Sequence, residues 1–107
     1  MCYWKNVLII VIFVLIGGCG LAMKKPPASI EKIANAELAL AKAQDSNAPR
    51  LAPQEWFLAQ QKLQKAQQAL QQENDAKAIR LAEQALVDAQ LAEAKAELEM
   101  ARRAFEE

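Results

Sequence analysis

Apolar and polar positions along the chain follow two regimes. From Val7 to Ile16 ten apolar residues run without a break, and beyond Pro27 apolar positions recur every three or four residues. That second rhythm predicts helices. The first is expected over 30–44, with Ser29 placed as its N-cap and Glu31 in its opening turn. The run Asp45-Ser46-Asn47-Ala48-Pro49 stops it. Ala52-Pro53 then opens a second helix over 53–73, with proline at the first helical position, where its missing N–H costs nothing. Asn74 and Asp75 make a tight turn, and Asp75 is expected to cap a third helix over 76–105. After residue 20 the only β-branched residues are Ile30, Ile33, Ile79 and Val87, so no strand pattern competes.

Within the second helix Trp56, Ala59, Leu63, Ala66 and Leu70 are spaced 3, 4, 3 and 4. Within the third, Ala78, Ala82, Ala85, Ala89, Ala92 and Ala96 are spaced 4, 3, 4, 3 and 4. Both are heptad seams, and so short a turn between them forces an antiparallel hairpin. The predicted fold is therefore all-α, an antiparallel alanine-rich helical hairpin extended by the first helix to a three-helix, coiled-coil-like bundle. A seam of alanine lets helix axes approach to about 8 Å. It buries little apolar area, so the high helix propensity of alanine must carry part of the stability.

A second apolar stripe, Leu91, Leu98 and Phe105, lies about 100° round the third helix from Ala78, Ala85 and Ala92. The first helix, with Ile33, Ala36, Leu40 and Ala43, is one candidate to cover it. The third helix is also about 15 Å longer than the second, so its last turns overhang. Leu91, Leu98, Met100 and Phe105 are accordingly the candidate partner-binding stripe, to be covered by the first helix, a second copy or another protein.

Composition removes most chemistries. The chain has 13 Lys and Arg against 13 Asp and Glu, and no His. It has no Thr, and both Cys and all three Gly lie in the first 20 positions. Histidine zinc sites, Ser–His or Cys–His catalysis, glycine-rich phosphate loops and a disulfide framework all lack their parts. Zero net charge argues against nucleic-acid binding, which needs a basic stripe to release counterions. The expectation is no enzyme, no metal, no cofactor and no small-molecule substrate. The only serines, Ser29 and Ser46, are read as a cap and a turn residue. Gln60, Gln61, Gln64, Gln67, Gln68, Gln71 and Gln72 cover much of the second helix; the row is either a solvated face or a set of amides for glycan hydroxyls. Trp56 is assigned to the seam, whereas Phe57 is left open between core and platform.

Ahead of the helices stand a head carrying Lys5, the apolar run, and Gly17-Gly18-Cys19-Gly20. This is the layout of a secretory signal peptide, and ten apolar residues rise only about 15 Å, half a bilayer core. Ile16-Gly17-Gly18-Cys19 resembles the lipobox of bacterial lipoproteins. The resemblance implies that Ile16, Gly17 and Gly18 are read by the lipoprotein signal peptidase and that Cys19 takes lipid. The chain would then divide into a signal peptide over 1–18, a lipidated Cys19 with an extended Lys24-Lys25-Pro26-Pro27 tether over 19–28, and a helical domain over 29–107. The only non-protein group expected is the covalent lipid on Cys19. Gly20 replaces the Asp that resembles an inner-membrane retention signal, which directs the expectation to the periplasmic face of the outer membrane of a Gram-negative bacterium. Lys24 and Lys25 support the rival, an uncleaved inner-membrane anchor from Val7 to Met23 with a cytoplasmic coiled coil. Lys5 and the amino terminus balance them, so charge does not decide.

From Ile30 to Ala96 the chain resembles a family of small, alanine-rich bacterial lipoproteins classed as a domain of unknown function. The residues carrying the likeness are Ala48-Pro49, Ala52-Pro53 with Trp56, Lys62-Leu63 with Ala66 and Ala69, and Asp75 with Ala78. They continue through Leu81-Ala82-Glu83-Gln84-Ala85 and Asp88-Ala89 with Leu91-Ala92. In that family the module stands alone behind a lipobox or ahead of an OmpA-like peptidoglycan-binding domain, which has no counterpart here. The family supplies no catalytic residues. The lipobox, the absence of catalytic parts and the overhanging stripe together lead to the expectation of an outer-membrane lipoprotein with a periplasmic helical domain in a non-enzymatic structural or adaptor role. It would engage the membrane through lipid and a protein partner, or its own copies, through helix packing. A peptidoglycan- or glycan-binding module and the cytoplasmic coiled coil stay open as alternatives.

Overall fold

The computed structural model describes residues 27–106, which form four helices and, among those residues, no strand. They are α1 (Ala28–Asp45), α2 (Ala48–Leu51), α3 (Pro53–Gln71) and α4 (Asp75–Glu106). Helix α1 starts ahead of Ser29. Pro27, with φ −54° and ψ 147°, holds the extended N-cap geometry, and its carbonyl accepts from the backbone N–H of Ile30 at 3.1 Å and of Glu31 at 3.2 Å. Ser29 is therefore not the cap: it sits inside the first turn and is buried.

Helix α1 ends where Asn47 turns into the left-handed region at φ 61°, a conformation Asn tolerates better than most residues. The following Ala-Pro pair does not continue the stop. Ala48–Leu51 forms a single helical turn, α2, with Pro49 in the positions that need no N–H and Ala48 buried against Ala92 and Ala96. Pro53 then opens α3, as the sequence reading placed it.

The α3–α4 turn is a Schellman closure. Glu73 is left-handed at φ 60°, its N–H donates to Leu70 O at 3.0 Å, and the N–H of Asn74 donates to Ala69 O at 2.9 Å. Asp75 is not the cap of α4. Asn74 takes that role, its Oδ1 accepting from the Lys77 backbone N–H at 3.3 Å, while Asp75 lies in the first turn, where its charge meets the helix dipole.

The core is a line of methyl groups. Ala78, Ala82, Ala85, Ala89, Ala92 and Ala96 of α4 are all fully buried, and α1 and α3 both pack on them. At one end Ile33 meets Ala66, Ala69, Ala78 and Ala82; in the middle Ala39 and Leu40 meet Ala59 and Ala89; at the other end Ala43 meets Ala92 and Ala96. Helix α1 thus runs parallel to α4 and antiparallel to α3, so the chain enters the bundle at the end holding the Gln72–Asn74 turn. Trp56, half-buried, bridges the middle and far clusters. Because α1 is spent on the alanine line, it does not cover Leu91, Leu98 and Phe105. After Ala96 no residue of α4 is buried, and the remaining ten described residues project about 15 Å beyond the last core layer.

Candidate functional site

The solvent face of α4 carries the exposed stripe. Leu91 is 48% exposed, Leu98 70% and Phe105 93%, and Val87 joins them at 61%. Ala94 and Ala101, both exposed, fill the gaps, so Val87, Leu91, Ala94, Leu98, Ala101 and Phe105 are spaced 4, 3, 4, 3 and 4. This is a second heptad seam on the side of α4 turned away from the first. Sequence reasoning named three of its six members; Val87, Ala94 and Ala101 were legible from the same spacing. Met100 does not belong to it. Two residues after Leu98 it lies about 200° round the helix, in line with the buried row of Ala82, Ala89 and Ala96.

Charged pairs border the seam. On the α3 side Lys62 Nζ lies 2.5 Å from Asp88 Oδ2, and Lys95 Nζ donates to Glu55 Oε1. Further along, Arg102 donates both Nε and Nη2 to the carboxylate of Glu99, at 3.1 and 2.8 Å, and Arg103 Nε adds a third contact at 3.1 Å. The hydrogen bond from Lys95 holds the Glu55 carboxyl below the ordinary carboxylate range. Those from Arg102 and Arg103 do the same for Glu99, and Glu99 in turn raises Arg102. On the α1 side Lys32 Nζ stands 3.2 Å from Glu83 Oε1. Glu97, also on that side, enters no ion pair among the described residues. An open groove of about 390 Å³ runs between the start of α3 and the overhang, with Pro53 and Glu55 on one wall and Leu98 and Arg102 on the other.

The chain matches a family described as Domain of unknown function (DUF4398) over residues 31–107. It belongs to this family. The match reaches past Ala96, so the overhang and its stripe are part of the shared domain. No curated protein and no solved structure matches the chain.

Ile16, Gly17, Gly18 and Cys19 lie outside the described residues. Among the described residues no helix is long and apolar enough to cross a membrane, and no group of three His, Cys, Asp or Glu could hold a metal ion. The glutamine row is exposed apart from Gln67, whose Nε2 donates to Glu37 Oε1 at 3.0 Å and so ties α3 to α1. Phe57 is 57% exposed on the outer side of α3, away from the seam.

Proposed function

We propose that the protein is a lipid-anchored envelope module of the outer membrane, facing the periplasm, that acts without catalysis by presenting α4 for helix packing. The observation that carries this reading is the exposed seam from Val87 to Phe105, which continues onto the overhang. The chain enters the bundle at the opposite end, so an N-terminal anchor leaves the overhang as the part farthest from the membrane. The lipobox-like Ile16-Gly17-Gly18-Cys19 supplies the anchor, and Lys24-Lys25-Pro26-Pro27 the extended tether. An apolar stripe of this kind on a small helical domain is a surface for another helix.

The test is the double variant Leu98→Glu with Phe105→Glu, made in the full chain. Both side chains are solvent-facing, so the helical signal and melting temperature stay within the range of surface changes, about 0.5 kcal/mol each. Co-purification of envelope proteins and self-association are both lost. If the variant keeps the same partners and the same oligomeric state as the parent, the seam is not an interaction surface.

A further inference from the structure

The charge pattern beside the exposed seam, together with the end at which the chain is tethered, points to a specific occupant. We infer that the solvent face of α4 docks a second copy of this chain, parallel and in register. The inference rests on the N-terminal anchoring through lipid on Cys19 proposed above.

Take Leu91, Leu98 and Phe105 as a positions and Val87, Ala94 and Ala101 as d positions. The flanking e positions are then Asp88, Lys95 and Arg102, and the g positions Glu83, Gln90 and Glu97. In a parallel pair each g residue faces the e residue five positions later on the second copy. Glu97 therefore faces the second copy's Arg102, and symmetry makes this contact twice. Glu97 is the flanking carboxylate with no ion pair among the described residues, and Arg102 keeps donors free after its fork to Glu99. Gln90 faces Lys95 without conflict. Glu83 faces Asp88, but Lys32 and Lys62 already neutralise that pair within each copy. At two of the three d layers, Ala94 and Ala101, alanine faces alanine, so the two α4 helices can approach closely along the overhang.

The antiparallel alternative fails on two counts. Stacking a on d layers, with Leu98 over Ala94 and Leu91 over Ala101, sets Lys95 against Lys95 and Glu97 against Glu97. Only Asp88 and Arg102 would attract, and Asp88 already holds Lys62. Geometry is the second obstacle. Inversion would lift the base of one copy roughly 65 Å above the base of the other. The nine peptide steps from Cys19 to Ala28 span at most roughly 30 Å when fully extended. Two chains rooted in one leaflet stand parallel, and anchoring raises their effective concentration, so three heptads of seam suffice where they would be weak between free molecules.

Cysteine cross-linking of the full chain in its native membranes tests this, in a Cys2→Ser background. Ala94→Cys and Ala101→Cys each place a thiol at a layer where a parallel pair sets like residues face to face. Both are expected to give disulfide dimers under mild oxidation, while Gln60→Cys on the outer face of α3 stays monomeric. Glu97→Arg is expected to abolish the Ala101→Cys dimer, and adding Arg102→Glu to restore it. The inference is overturned if the chain sediments with the membrane and Ala101→Cys links no more than Gln60→Cys. It is equally overturned if linking occurs only between Leu91→Cys and Ala101→Cys chains mixed together. A chain found in the soluble fraction instead sinks the anchoring reading, and this inference with it.

Discussion

Enlarging one alanine of the buried line probes how closely the helices approach. Ala89 is fully buried and packs with Ala39, Leu40 and Ala59, themselves between 0% and 7% exposed. Ala89→Leu adds three carbons at the centre of the bundle, where α1, α3 and α4 meet. With room for them the extra methylenes would stabilise the fold by about 2 kcal/mol. With the backbones in close approach they must push α1 or α3 away, at a net cost of about 1–3 kcal/mol. For a domain of this size each kcal/mol lowers the melting temperature by about 4–8 °C. The assay is a thermal melt of the full chain in mild detergent, followed by the helical circular-dichroism signal. Ala41→Leu, exposed on α1, is the matched control and stays within about 0.5 kcal/mol of the parent. A variant at Ala89 that melts at or above the parent would refute the close-packed methyl line.

Two further perturbations read local features. Glu73 holds a left-handed conformation that strains any residue with a Cβ, so Glu73→Gly is expected to stabilise by about 0.5–1 kcal/mol in a denaturant melt; a loss of stability would contradict the Schellman assignment. Glu55 has a folded pKa below its unfolded value, so its bond to Lys95 contributes stability above the ordinary value of about 4.5 and loses it as pH falls through the folded value. Parent and Glu55→Gln melts should therefore differ near neutral pH and converge in strong acid; a difference that persists in acid would assign the effect to packing instead.

Much of this fold is written in spacing. The six alanines of α4 and the seam of α3 were readable because a heptad repeat admits one arrangement of buried residues once a short turn fixes the hairpin. The capping was less legible. Ser29 has the right side chain for a cap, but Pro27 already provides the cap backbone two residues earlier, and Asn74 outcompetes its neighbour Asp75 because the Schellman turn places it at the boundary. The one-turn helix α2 was hidden by residues that usually break structure, although Ala48-Pro49 carries the same opening signal as Ala52-Pro53. Its formation depends on Ala48 reaching Ala92 and Ala96, a contact between segments more than forty positions apart. The exposed stripe was visible through its large residues, and its alanines were not, since an exposed and a buried alanine are indistinguishable until the neighbouring helices are placed. Met100 shares the stripe's exposure on the overhang but not its angle around the helix.

The central claim is that this helical domain hangs from a lipid on Cys19. It is tested most directly by the intact mass of the protein extracted from membranes, with Cys19→Ala alongside. The account predicts a wild-type chain that has lost residues 1–18 and gained acyl mass, and a mutant that keeps its N-terminal segment and leaves the outer-membrane fraction. A wild-type chain that retains Met1 at its unmodified mass, with the mutant fractionating identically, would contradict it and place the bundle behind an uncleaved anchor.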